Sequence, residues 1–295
     1  MNKKVLIIYN PVSGTKSNKA MISQLFNYYK LNNINYFLLK TEYKNHAKKF
    51  CANNSLAEYD DLIVCGGDGT FNEVINGVVI NKNKKIPRLG FLPGGTGNSF
   101  MHDLNAVDPN KAINKIIKNN SDTLDILKLT YNNKTIYSFN IVGWGLVTDI
   151  LILAEKMRFL KSIRYNVASL FYILTAKGKK IKFIIDNNKT YNEKYLFILI
   201  CNTIHTGKGM KAAPKAKFND GQLDIVSVKS QISFFQLIKL FTKIFTGKHI
   251  HSPFVNYINA QTINLIPENN EALNVDGDAK GGTPVKIEIL KNKLF

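Results

Sequence analysis

A chain of 295 residues, 45% hydrophobic and 21% charged, reads as an ordinary soluble globular protein with room for two domains. No run approaches the roughly 18 apolar residues that span a bilayer, and three scattered cysteines (Cys51, Cys65, Cys201) suggest neither a disulfide framework nor a zinc site. The net charge of +19 and pI near 9.7 leave two readings open: an anionic partner, or a compositional bias that spreads Lys, Asn and Ile through the whole chain.

The first 120 residues alternate apolar runs with helical spacing. KVLIIY (4–9), INYFLLK (34–40), DLIVC (61–65) and RLGFL (88–92) read as strands, with helices over 18–31, 45–56, 70–80 and 109–118. Strands this apolar, separated by helices, predict a parallel sheet covered on both faces. After Asp125 the texture changes. LDILKLTY, KTIYSFNIVG, KIKFIID, KYLFILICN, QLDIVSVK and AQTINLI are β-rich and partly alternating, which predicts an antiparallel second domain. Helical segments at about 147–176 and 232–245 interrupt it. The last strand, PVKIEIL (284–290), fits either domain. The apolar part of MNKKVLIIYNP is too short for a signal peptide, so a cytoplasmic location is expected.

Three loops follow strands of the first domain: NPVSG (10–14), GGDGT (66–70) and PGGTGN (93–98). In a doubly wound sheet, ligands bind beyond the carboxyl ends of the strands. Glycine lets backbone N–H groups approach an anion closely, and helix starts add positive dipole ends. Each loop alone reads equally well as a tight βα turn; the three together describe a phosphate cradle. There is no G-x-x-x-x-G-K-[ST], G-x-G-x-x-G after a strand, G-x-S-x-G or H-E-x-x-H. His249 and His251 form a lone H-x-H that reads as solvent-facing rather than metal-binding. An acid inside a phosphate cradle is repelled unless a cation lies between, or unless it takes a proton from an incoming hydroxyl. Asp68 therefore points to phosphoryl transfer.

The motifs, in order, are NPVSG at 10, TEYKNHA at 41, GGDGTFNEVINGV at 66, LGFLPGGTGNSF at 89, LDIL at 124, GKGMKAAPKAKFNDGQLDIV at 207 and VDGDAKGGTP at 275. Over nearly the full length, the chain resembles the diacylglycerol kinase and sphingosine kinase catalytic-domain superfamily, especially its soluble bacterial lipid kinases. GGDGT alone also occurs in NAD kinases and phosphofructokinases; the two C-terminal motifs separate this chain from them. The resemblance implies an α/β nucleotide-binding domain of the NAD kinase/phosphofructokinase type (1–126 plus 285–295). An antiparallel β-sandwich (127–284) would follow it, with ATP in the cleft between.

By the same resemblance, Asn10, Pro11, Val12, Ser13, Gly14, Thr41, Gly66, Gly67, Asp68, Gly69, Thr70, Phe71, Asn72 and Thr96 would line the ATP site. Asp278, where the family has the glutamate of Asp-Gly-Glu, would be the general base. Asp68 and Asp125 would belong to the acidic network around it and the catalytic Mg²⁺. Asp220, with the carbonyls of Lys217 and Gln222, would hold a second Mg²⁺; without the family, Asn-Asp-Gly-Gln reads as a hairpin turn. Ser99 replaces the usual final acid of PxGTxND.

The implied reaction is ATP- and Mg²⁺-dependent phosphorylation of a diacylglycerol-like or sphingoid lipid hydroxyl, by a monomer or homodimer peripheral to the inner face of the membrane. Its rivals are an NAD or sugar kinase using the same loop and a weakened nucleotide- or lipid-binding protein. Nucleic-acid binding rests on charge alone and is not expected. Segments 231–245 and 147–176 read either as interfacial helices or as helices packed on the sandwich.

Overall fold

The computed structural model describes residues 3–13, 17–82, 85–119, 121–175 and 177–295. It divides into two units, Met1–Leu124 with Asn292–Phe295, and Asp125–Lys291. Residues 285–291, grouped above with the first domain, count with the second.

The first unit runs β1 (Lys4–Tyr9), α1 (Ser17–Leu31), β2 (Asn35–Lys40), α2 (His46–Asn53), β3 (Asp61–Gly66), α3 (Asp68–Ile80), β4 (Arg88–Pro93), α4 (Ser99–Asp103) and α5 (Pro109–Ile117). Its four strands form a parallel sheet in the order β2-β1-β3-β4. All six residues of β3 are buried, as the uninterrupted apolar run requires of a central parallel strand. The chain reverses direction across the sheet between β1 and β3, so the loops after these two strands flank the topological switch point. The helix expected over 70–80 begins two residues earlier, at Asp68, with Gly67 as its N-cap.

The second unit opens with β5 (Leu124–Tyr131), β6 (Lys134–Ser138), β7 (Ile141–Gly145), α6 (Leu146–Lys156), a 3-10 turn (Arg158–Ile163) and α7 (Arg164–Thr175). It continues with β8 (Lys179–Ile185), β9 (Lys189–Cys201), β10 (His205–Thr206), β11 (Met210–Lys211), β12 (Leu223–Lys229) and α8 (Phe234–Lys243). The last strands are β13 (Val255–Ala260), β14 (Thr262–Pro267), β15 (Leu273–Val275), β16 (Asp278–Lys280) and β17 (Val285–Leu294). The expected helix over 147–176 is broken after Lys156, and that over 232–245 ends at Lys243 before a 3-10 turn.

This unit is an antiparallel β-sandwich or half-barrel. The long β9 pairs with β8 through its first half and with β7 and β12 through its second. One face of this sheet buries Trp144, Tyr195, Ile198, Phe183, Ile225 and Leu265 in a single core. The other buries Leu196, Leu199, Val226 and Val228 against α6, α7 and α8.

Candidate active site

Beyond the carboxyl end of β1, the chain is held by one side chain. Asn10 Nδ2 donates to Thr70 Oγ1 (3.0 Å), while its Oδ1 accepts the Val12 N–H (3.0 Å) and its backbone N–H donates to Cys65 O (3.0 Å). Ser13 Oγ donates back to Asn10 O (2.9 Å), leaving Pro11 and Val12 at an exposed tip. Gly14, the fifth residue of that loop, lies outside the described residues. Thr41 follows β2, its N–H donating to Tyr9 O (2.9 Å) at the same sheet edge.

The Gly-rich loops after β3 and β4 pack backbone on backbone. A Cβ on Gly67 would lie 2.9 Å from Gly95 Cα, and one on Gly95 would lie 2.6 Å from Gly67 Cα. Gly94 N–H donates to Gly66 O (2.7 Å), and Asn98 closes the second loop by bonding both the N–H (2.8 Å) and the C=O (2.9 Å) of Gly95. Gly66 is constrained too, since a Cβ there would sit 2.6 Å from Thr70 Cβ. Gly69 differs. It lies in the first turn of α3 with no left-handed φ, it is exposed, and among the described residues no heavy atom outside its own helix backbone and chain neighbours lies within 4 Å of a Cβ placed on it. Among the described residues, neither conformation nor packing calls for glycine there.

Asp68 lies one residue before this opening, in the first turn of α3. Its Oδ2 accepts both the Ser99 N–H (3.1 Å) and the Ser99 Oγ–H (3.1 Å). The hydroxyl that replaces the family acid thus fixes Asp68 instead of repelling it. Phe71 and Asn72 are buried beneath, with Phe71 against Phe91 (centroids 4.6 Å apart), and Thr96 is exposed. The N-terminus of a 13-residue helix adds its dipole to this edge.

In the second unit, Asp125 is fully buried: its Oδ2 accepts the Gly221 N–H (2.6 Å) and its own N–H donates to Phe218 O (2.8 Å). It holds the 217–222 turn in place. Within that turn Gly221 is left-handed (φ 72°) and Asp220 Oδ1 accepts the Gln222 N–H (3.0 Å). Asp220 and Lys217 are exposed, and Gln222 is half-buried. The sequence reading missed Asp224, which is buried beneath this turn. Tyr257 OH (2.6 Å) and Asn259 Nδ2 (2.9 Å) donate to its Oδ1, and its Oδ2 is buried without a hydrogen-bond partner among the described residues. Burial above all, and then the Asp220 charge, push the Asp224 carboxyl up, against the two hydrogen bonds that pull it down.

Asp276 was missed as well. It is buried, and its carboxylate accepts Ser138 Oγ–H (2.6 Å) and the N–H groups of Phe139 (3.2 Å), Asn140 (3.1 Å) and Ile141 (2.9 Å). This capture lies where the β-rich stretch KTIYSFNIVG divides into β6 and β7. Asp276 (φ 52°) and Gly277 (φ 87°) are both left-handed, as a two-residue hairpin turn between β15 and β16 requires. Asp278 leaves that turn exposed, its Oδ2 3.5 Å from Lys280 Nζ. His249, expected to face solvent, is buried with a ring nitrogen 3.0 Å from Ala212 O; burial pushes its pKa down.

Among the described residues no three His, Cys, Asp or Glu side chains gather to hold a metal ion. A dehydration-resistant ion such as Mg²⁺ is ordinarily held by one or two carboxylates, with substrate phosphates and water completing the shell. Asp68 at the Gly-rich loops is compatible with that pattern, and so is Asp220, whose charge acts on the buried Asp224 carboxyl.

The family model of the diacylglycerol kinase catalytic domain matches residues 4–129, and that of the YegS C-terminal NAD kinase beta sandwich-like domain matches residues 140–294. A diacylglycerol kinase of Staphylococcus epidermidis is 33% identical over 302 residues, which take in 100% of this chain and 92% of that protein. Sphingosine kinase 1 of Arabidopsis thaliana is 25% identical over 90% of this chain, which spans only 64% of the plant protein. A solved diacylglycerol kinase structure from Bacillus anthracis matches with a TM-score of 0.77 at 25% identity, covering 99% of this chain and 96% of that one. The chain belongs to the diacylglycerol kinase catalytic-domain family of lipid kinases, phosphotransferases with an alcohol group as acceptor.

Proposed function

We propose that the chain transfers the γ-phosphoryl group of ATP, in a Mg²⁺-dependent reaction, to a hydroxyl of a diacylglycerol-like or sphingoid lipid. The observation that carries this reading is Gly69. A glycine that neither the backbone nor the packing needs, at the start of a helix and beside a fixed carboxylate, is best explained by a ligand that passes close to it. Asn10–Ser13, Thr41, Gly66–Asn72 and Thr96 then cradle the nucleotide phosphates, and Gly14 joins them on the resemblance alone.

Asp68, oriented by the two Ser99 donors, offers its carboxylate to Mg²⁺. When bound, Mg²⁺ neutralises charge developing on the transferred phosphoryl group. Asp278 takes the proton of the acceptor hydroxyl as general base, its carboxylate exposed and steadied by Lys280. Asp125 acts as a positioning residue that holds the 217–222 turn. Asp220, with the Lys217 and Gln222 carbonyls, holds a second, structural Mg²⁺.

Radiolabelled ATP incubated with diacylglycerol and sphingosine in mixed micelles tests this. Labelled lipid that forms with Mg²⁺ and disappears with EDTA is expected. Tight ATP binding with no labelled product from either lipid would overturn the reading.

A further inference from the structure

Asp278 is the first residue of a short strand at the end of the second unit's sheet. That strand, β16, is three residues long and pairs with β15 alone among the described residues. β15 is also three residues long, and it reaches β7 through Asn274 and Val275. A hairpin this short is marginal by itself. The Asp278 carboxylate is therefore only as well placed as the groups that fasten the hairpin from outside.

At the tip the fastening is Asp276, whose carboxylate accepts four donors and whose N–H donates to Ile141 O (2.9 Å). At the base, Thr283 N–H donates to Glu271 O (3.0 Å), and Glu271 N–H donates to the buried Thr283 Oγ1 (2.9 Å). α6 packs against both strands. It sits close, since a Cβ on Gly143 of β7 would lie 2.8 Å from Val147 of α6 and 3.5 Å from Asn274 of β15. One side chain joins the base of the hairpin to this helix. Lys179 Nζ, at the start of β8, lies 2.7 Å from Glu271 Oε2 and 2.9 Å from Asp149 Oδ2 in the first turn of α6. Neither acid has a second cation among the described residues. Burial works against the Lys179 charge, but the hydrogen bonds to Glu271 and Asp149 outweigh it and raise the pKa. Without that charge, two carboxylates that share one nitrogen would repel each other.

We propose that Lys179 is a positioning residue for phosphoryl transfer: by clamping Glu271 to Asp149 it seats the β15–β16 hairpin against α6, and so sets where Asp278 meets the acceptor hydroxyl. This rests on the assignment of Asp278 as general base. A partly exposed ion pair adds little to global stability, and the Lys179 side chain is 34% exposed. A misplacement of about 1 Å at a reacting group, by contrast, costs on the order of 10²-fold in rate. The clamp therefore matters for rate far more than for melting.

The test uses the full chain with Lys179→Met, which keeps the stem and removes the charge, and with Lys179→Arg. Glu271→Gln breaks the same clamp from its other side, should Lys179→Met fold poorly. On dioctanoylglycerol, Lys179→Met and Glu271→Gln should each lower kcat ten-fold or more, with the KM for ATP and the melting temperature little changed. Lys179→Arg should recover most of the rate, since a guanidinium pairs well with carboxylates. Lys179→Met added to Asp278→Asn should cost nothing further, because residues that act as a unit are not additive. Hydrogen exchange across 273–280 should be faster in Lys179→Met. Exchange equal to that of the wild type would overturn the clamp, whatever the turnover. Faster exchange with kcat unchanged, or a full further loss in the Asp278→Asn background, would make Lys179 a structural residue and overturn its positioning role. A wild type that phosphorylates no lipid would fault the kinase reading, while exchange would still report on the clamp.

Discussion

Asp68-Gly69 and Asp276-Gly277 are the same dipeptide in the two units, and they are put to opposite uses. At the first, the aspartate stands at a helix start, fixed through one oxygen, and the glycine is helical with open space beside it. At the second, the aspartate is buried under four donors, and the glycine is there for its left-handed backbone. In one case neither the backbone nor the described packing calls for the glycine; in the other it lets the chain turn. The role of a short motif thus follows from its backbone conformation and from what fills its acceptors, and the two arrangements differ in both.

The sharpest way to break that comparison lies within the second motif, between Asp276 and Asp278. Asp278→Asn should lower turnover by about 10²–10⁴-fold with little change in melting, because its carboxylate is exposed and among the described residues pairs only with Lys280. Asp276→Ala should do the reverse. Four buried donors lose their acceptor, at about 1–3 kcal/mol for each left unmade, so the protein should melt many degrees lower or fail to fold. Near-native activity in Asp278→Asn removes it as the base. Unchanged melting in Asp276→Ala would show that the donors find other acceptors.

A second pair of substitutions sharpens the reading of the glycines. Gly69→Ala should leave stability intact or raise it by about 0.4–1 kcal/mol, since alanine narrows the unfolded ensemble and its Cβ meets no atom among the described residues beyond its own helix. Nucleotide affinity should nonetheless fall ten-fold or more. Gly67→Ala drives a Cβ into the Gly95 backbone and should cost about 1–3 kcal/mol of stability. If Gly69→Ala binds ATP as tightly as the wild type, the clearance is not for the nucleotide. Differential scanning fluorimetry with and without ATP reads both quantities.

Why one motif was legible and the other was not follows from reach. The parallel sheet announces itself locally, through apolar runs such as KVLIIY and DLIVC, and its loops carry their glycines at the strand ends. The Asp276 partners lie 135 or more residues earlier in the chain, and β15 and β16 are three residues each, too short for an alternating pattern. β13, VNYINA, went unread because its asparagines blur the alternation. Nothing local marks the break after Lys156, where neither Gly nor Pro occurs. His249 and Asp224 look like surface residues by type, and only tertiary packing buries them. Ser99 was visible as a missing acid, but that it donates twice to Asp68 needed coordinates.

The smallest expected effect concerns a third Asp-Gly step, Asp220-Gly221, whose glycine is left-handed like Gly277 and whose carboxylate, unlike the other two, is exposed. Beneath it, Asp224 has its pKa raised, chiefly by burial. A raised carboxyl holds its proton more tightly folded than unfolded, so its contribution to stability is complete below the ordinary value of 3.8 and is lost as pH rises through the shifted value. A cation bound by Asp220 beside the bare Asp224 oxygen would offset that loss, and only where the carboxylates are ionised. Mg²⁺ should therefore raise the melting temperature at pH 7 and raise it less at pH 4, where the raised Asp224 carboxyl holds more of its proton. At ten times its Kd the gain is about 1.4 kcal/mol, or a few degrees. Asp220→Ala should abolish the gain with ATP affinity little changed. Asp224→Asn should raise melting at pH 7 without Mg²⁺ and flatten the acid dependence, since an amide carries no buried charge. An Mg²⁺ shift in Asp220→Ala equal to that of the wild type would make Asp220-Gly221 a turn and nothing more, and would leave the buried Asp224 carboxylate to be neutralised by its own proton.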